Sequence, residues 1–155
     1  MSKLFVVATP IGNLQDISAR ALTVLTDVKV VAAEDTRTAK ILLNHYGIKT
    51  HLLSYNEHNH SRRSPEILTI LSNGDDVALV SDAGTPAISD PGVALVAAAR
   101  EAGFEVVAVP GPSAVVSALS IAGLSTMSFT FAGFLPRTEG KTRELVTTAG
   151  AHTLV

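Results

Sequence analysis

The chain has 155 residues, 46% of them hydrophobic and 5% aromatic, with no tryptophan and no cysteine. That length makes one domain able to bury roughly 70% of its unfolded surface, and the missing cysteines exclude disulfides, thiolate nucleophiles and cysteine-ligated metal centres. A formal net charge of −2 excludes a global attraction to nucleic acid, and no apolar run reaches the roughly 18 residues of a membrane span, so a soluble, cytoplasmic protein is expected.

Lys3 to Ala8 (KLFVVA) reads as a first strand, followed by the loop TPIGNLQD and a helix marked by Ile17, Ala21, Leu22 and Leu25. Val28 to Ala33 is a second strand. It runs into EDTRT and a helix holding Ile41, Leu42 and Leu43, which stops before Gly47. Lys49 to Tyr55 is a third strand. Ser64-Pro65 is expected to cap and open the next helix, with Ile67, Leu68 and Leu71 ahead of Gly74. Asp76 to Ser81 is the fourth strand, and Asp90-Pro91 is expected to start a helix carrying Val93, Val96 and Ala97 before Gly103. Glu105 to Pro110 is the fifth. After Gly123 one strand (Ser128 to Ala132), a linker-like stretch (Gly133 to Gly140), a helix (Thr142 to Ala149) and a strand beginning at HTLV are expected.

Short strands alternating with helices predict an α/β fold, an open, mostly parallel five-stranded sheet with helices on both faces. Ligands of such sheets bind beyond the carboxyl ends of the strands. The loops there are TPIGNLQD, EDTRT, SDAGTPAISDPG and PGPSA, rich in small residues that let the backbone approach a ligand. Neither a P-loop nor a G-x-G-x-x-G is present, so the common nucleotide fingerprints are missing. NEHNH (Asn56 to His60) holds metal-capable side chains but lacks a fixed third partner, and a solvated polar loop is the better reading; no metal is expected. In AEDTR, Glu34, Asp35 and Arg37 leave a buried strand together. Two readings stand side by side: acids and a guanidinium that orient a hydroxyl and take its proton, or a helix cap with a structural ion pair.

Taken in order, TPIGNLQDISARAL, AEDTR, LVSDAGTPAISDPG, VPGPSA and FAGFLP resemble the N-terminal domain of the ribosomal RNA small subunit methyltransferase I family, within the tetrapyrrole methylase superfamily. The resemblance covers nearly the whole chain. It implies transfer of methyl from S-adenosyl-L-methionine to a cytidine 2′-hydroxyl of 16S rRNA in the small ribosomal subunit, by a homodimer. It also implies cofactor contacts from Pro10, Ile11, Ser81, Asp82, Ala83, Thr85, Ser113 and Ala114, with Glu34, Asp35 and Arg37 as catalytic candidates. The chain departs from the family at Ala39, where a hydroxyl residue is common, and at His60, where an acid is. Family members carry a second α/β domain, so the expected division is a cofactor-binding domain over 1–124 and, over 125–155, a linker and the start of that second domain. Two alternatives follow: a methylase of a tetrapyrrole or other small molecule, and a truncated half that binds cofactor without turnover.

Overall fold

The computed structural model describes residues 2–89, 92–124, 127–149 and 153–155, in two compact units, Met1–Pro112 and Ser113–Val155.

The first unit holds β1 (Lys3–Val7), a 3-10 turn (Leu14–Asp16), α1 (Ala19–Asp27), β2 (Val30–Ala33), α2 (Thr36–His45), β3 (His51–Ser54), α3 (His60–Ser72), β4 (Val77–Val80), α4 (Gly92–Glu101) and β5 (Glu105–Val109). The strands form one parallel sheet in the order β3-β2-β4-β1-β5. Every residue of β2 and β4 is buried, as strands covered on both faces require.

Alternation along the strands divides the core. Val31, Ala33, Ala78 and Val80 face Ala21 and Leu25 of α1 and Leu42 and Leu43 of α2. Val30, Ala32, Val77 and Leu79 face Ile67 and Leu71 of α3 and Leu95 and Ala99 of α4. The helices following β1 and β2 therefore lie on one face, and those following β3 and β4 on the other. Such reversals between neighbouring strands open crevices at the carboxyl rim. Val6 is level with Leu79, and Ala33 with Val80, so the loops leaving β1, β2 and β4 start at similar heights.

Ile67 is fully buried beneath the sheet. Ile67→Ala is expected to cost about 2–5 kcal/mol through lost transfer energy and a cavity, read in a thermal melt as a fall of roughly 5–20 °C; a fall below about 2 °C contradicts this packing.

Helix α3 begins at His60, not at Ser64-Pro65, and Pro65 lies inside it. A polar turn builds the extra residues: Asn59 Oδ1 accepts from the Asn56 amide at 2.8 Å, and the Asn56 carbonyl accepts from the His60 amide at 2.9 Å. The expected cap at Asp90-Pro91 lies outside the described residues; α4 is described from Gly92. Its buried stripe is Gly92, Leu95 and Ala99, leaving Val93 exposed.

The second unit contains α5 (Ala114–Ile121), β6 (Phe129–Thr130), α6 (Glu139–Ala149) and β7 (Thr153–Leu154), with β6 and β7 paired in parallel. The expected strand over Ser128 to Ala132 is thus shorter and the expected helix starts three residues earlier, at Glu139. His152, in the expected final strand, lies outside the described residues. No helix among those described is long and apolar enough to cross a membrane.

Candidate active site

The rim is knitted together first by backbone. Thr9 and Gly84 exchange amide hydrogen bonds in both directions, at 2.9 and 3.0 Å, tying the loop after β1 to the loop after β4. Gly84 has φ +76°, a conformation that a side chain resists, and a Cβ there would also sit 3.5 Å from Ile11 Cγ2. The Thr9 hydroxyl donates to the Ser81 carbonyl at 3.3 Å, and the Thr85 hydroxyl to the Pro112 carbonyl at 3.4 Å. At Gly111 a Cβ would approach Ala8 Cβ to 3.1 Å, so glycine lets the loop after β5 press against the end of β1. Ala87 and Ser89, at φ 65° and 63°, hold left-handed backbone in the same β4 loop, and strain of this kind collects at ligand sites.

The second component is AEDTR. Asp35 is the N-cap of α2: its Oδ1 accepts from the Arg37 amide at 2.8 Å. Arg37 also grips that carboxylate through Nε at 3.0 Å and Nη2 at 2.6 Å, a forked, charge-assisted contact. Both features of the structural reading are therefore present. Their cost is basicity, because hydrogen bonds from the Arg37 side chain and amide hold the Asp35 carboxyl down at about 2 against an ordinary 3.8. A group so depressed is a weak proton acceptor near neutrality.

Because the folded value is lowered, the cap's contribution to stability is complete above the unfolded value of 3.8 and is lost as pH falls through about 2. A carboxyl-carbon titration is expected to show Asp35 near 2 in the native chain and nearer 3.8 in Arg37→Ala; a native midpoint at the ordinary value contradicts the forked contact.

One bond joins the two components. Asp82 Oδ1 accepts from the Asp35 amide at 3.1 Å, across 47 positions of sequence. Pro10, Ile11, Ser81, Asp82, Ala83 and Thr85 thus share a rim with Glu34, Asp35 and Arg37. Ser113 and Ala114 belong to the second unit, as the N-cap and first residue of α5.

Sequence reasoning missed the space beside this rim, a cavity of about 150 Å³. Its floor includes Leu25, Val31, Leu42 and Val80, and Thr9, Pro10, Thr38, Ala39, Ser81 and Asp82 also line it. The available signal was Ala39, a small side chain on the inward stripe of α2. Among the described residues no three His, Asp or Glu side chains converge as metal ligands. In NEHNH, Asn56 Oδ1 accepts from the His58 amide at 3.1 Å, which together with the Asn59 contact shapes the turn.

These features define an α/β domain whose candidate site lies at the carboxyl rim of a parallel sheet. Residues 3–155 match the family model for Tetrapyrrole (Corrin/Porphyrin) Methylases, and the chain belongs to that family. Among curated proteins it is 52% identical over 145 residues to a ribosomal RNA small subunit methyltransferase I of Thermotoga maritima, covering 94% of this chain and 65% of the relative. It is 56% identical over 133 residues to the protein of that name from Pseudomonas aeruginosa, covering 86% of this chain and 47% of the relative. It therefore spans between about half and two thirds of the length of these relatives. A solved uroporphyrin-III-C-methyltransferase from Thermus thermophilus superimposes with a TM-score of 0.66 at 22% identity, over 96% of this chain and 74% of that one, which shows the shared fold.

Proposed function

We propose that this chain carries the donor and acceptor loops of an S-adenosyl-L-methionine-dependent methyltransferase that modifies a cytidine 2′-hydroxyl in 16S rRNA of the small ribosomal subunit. The observation that carries this reading is the Asp82–Asp35 hydrogen bond, which joins the candidate cofactor loop to the candidate acceptor loop. Relatives at about half identity bearing an rRNA methyltransferase name support the substrate class.

The rim fits the cofactor. Exposed Ile11 offers apolar contact to an adenine, the small exposed residue Ala83 leaves the backbone approachable, and the exposed Asp82 carboxylate suits a cationic amino or sulfonium group. Pro10, Ser81 and Thr85 complete the proposed contacts in the first unit. Ser113 and Ala114 are retained as proposed contacts from their place in PGPSA, directly after Pro112.

When bound, the sulfonium supplies a methyl group whose leaving thioether is neutral. The chain must align the ribose hydroxyl and accept its proton as the new C–O bond forms. With Asp35 committed to Arg37, that pair becomes the orienting element, and half-buried Glu34 is assigned as proton acceptor.

A homodimer working in the cytoplasm is part of the proposal. The second unit's exposed apolar side chains, among them Ile121, Met127 and Phe134 at 87%, 98% and 88% exposure, suit a covering surface of the kind a partner copy would provide. Methyl transfer from labelled S-adenosyl-L-methionine to small ribosomal subunits, with the modified nucleotide mapped by mass spectrometry, tests the reading. Label on a cytidine ribose supports it; cofactor binding with label only on a tetrapyrrole overturns it.

A further inference from the structure

The cavity below the rim is too small for the whole cofactor, and its floor is apolar. Its volume is about 150 Å³. An apolar cavity of about that size takes a single benzene ring. Leu25 and Val31 on its floor are fully buried, and Leu42 and Val80 nearly so. Polar groups enter the lining at Thr9, Thr38, Ser81 and Asp82, with Thr38 and Asp82 exposed to solvent.

Position supplies the rest. Asp82 lines the cavity and also holds the Asp35 amide, while Thr38 and Ala39 reach it from the first turns of the helix that Asp35 caps. A flat ring seated here lies against the first turns of the helix that Asp35 caps. We infer that this cavity receives the base of the target nucleotide, a single pyrimidine ring splayed from the RNA, and so fixes the ribose hydroxyl at the acidic loop. The inference rests on the RNA-methyltransferase reading and deepens it.

The chemistry matches at both ends of the ring. Its faces and C5–C6 edge take the apolar walls, and its polar atoms meet hydroxyls and a carboxylate, the usual acceptor for a cytosine amino group. A single ring matches that volume. Room for that ring is made by the absence of side-chain bulk at Ala39.

Ala39→Leu fills the space from a helical position that tolerates leucine. It is expected to leave the melting temperature unchanged or a few degrees higher and to leave S-adenosyl-L-methionine affinity, read by calorimetry, unaltered. Methyl transfer to small ribosomal subunits is expected to fall by about 100-fold or more, with Ala39→Val falling by roughly tenfold. In methyl-resolved NMR of the unmodified protein, added cytidine is expected to move the Val31, Leu42 and Val80 signals; adenosine moves none, and Ala39→Leu abolishes the response.

Wild-type transfer rates in folded Ala39→Leu overturn the inference. So does loss of cofactor binding in that variant, which assigns the cavity to the cofactor, and so does a chain whose cavity methyl signals ignore cytidine. If the unmodified protein binds cofactor but labels no ribosomal subunit, the RNA reading fails while the cytidine titration still decides what the cavity holds.

Discussion

Glu34→Gln is expected to lower methyl transfer by about 10²–10⁴-fold, the usual worth of a positioned proton acceptor, with S-adenosyl-L-methionine affinity unchanged. The amide keeps the size of the side chain while removing its charge and its ability to take a proton. Asp35→Asn is the informative companion. That carboxyl is held at about 2 by Arg37, so its loss is expected to act through the orientation of α2's first turn, with a smaller fall and no change in the pH dependence of transfer. Equal, large falls in both variants with a common shift of the pH profile contradict this division of roles.

Asp82→Ala is expected to weaken S-adenosyl-L-methionine binding by about 10–100-fold, the equivalent of losing one hydrogen bond to a charged group. Two functions are removed together: the acceptor for the Asp35 amide and the negative charge offered to the cofactor. Asp82→Asn separates them, since its carbonyl still accepts that hydrogen bond. Affinity in Asp82→Asn close to that of Asp82→Ala assigns the effect to charge, and affinity close to the native value assigns it to the tie between loops. Native affinity in Asp82→Ala removes Asp82 from the cofactor site.

The five strands of the sheet were readable because each is a short apolar run ended by a change in residue type, as where Val80 gives way to Ser81 and Asp82. Strand order was not, since helix-length connections permit several arrangements, and β4 enters between β1 and β2 only in the folded sheet. The start of α3 was misplaced for a physical reason. Ser64-Pro65 has the chemistry of a cap, but the Asn56 and Asn59 side chains had already built a turn that runs into the helix. In AEDTR the sequence held both readings, cap and chemistry. Its spacing fits the cap, whereas the contact with Asp82 depends on β2 and β4 being neighbours in register. The cavity was hidden for the same reason, because β2, β4, α1, α2 and the loop after β1 all contribute to its walls.

A crystal structure of the protein with S-adenosyl-L-methionine tests the central claim most directly. The expected result places the cofactor on the carboxyl rim between the loops that follow β1 and β4, in contact with Asp82, its methyl group turned toward Glu34 and the Asp35–Arg37 pair. Cofactor bound away from that rim, with Asp82 out of contact, contradicts the account.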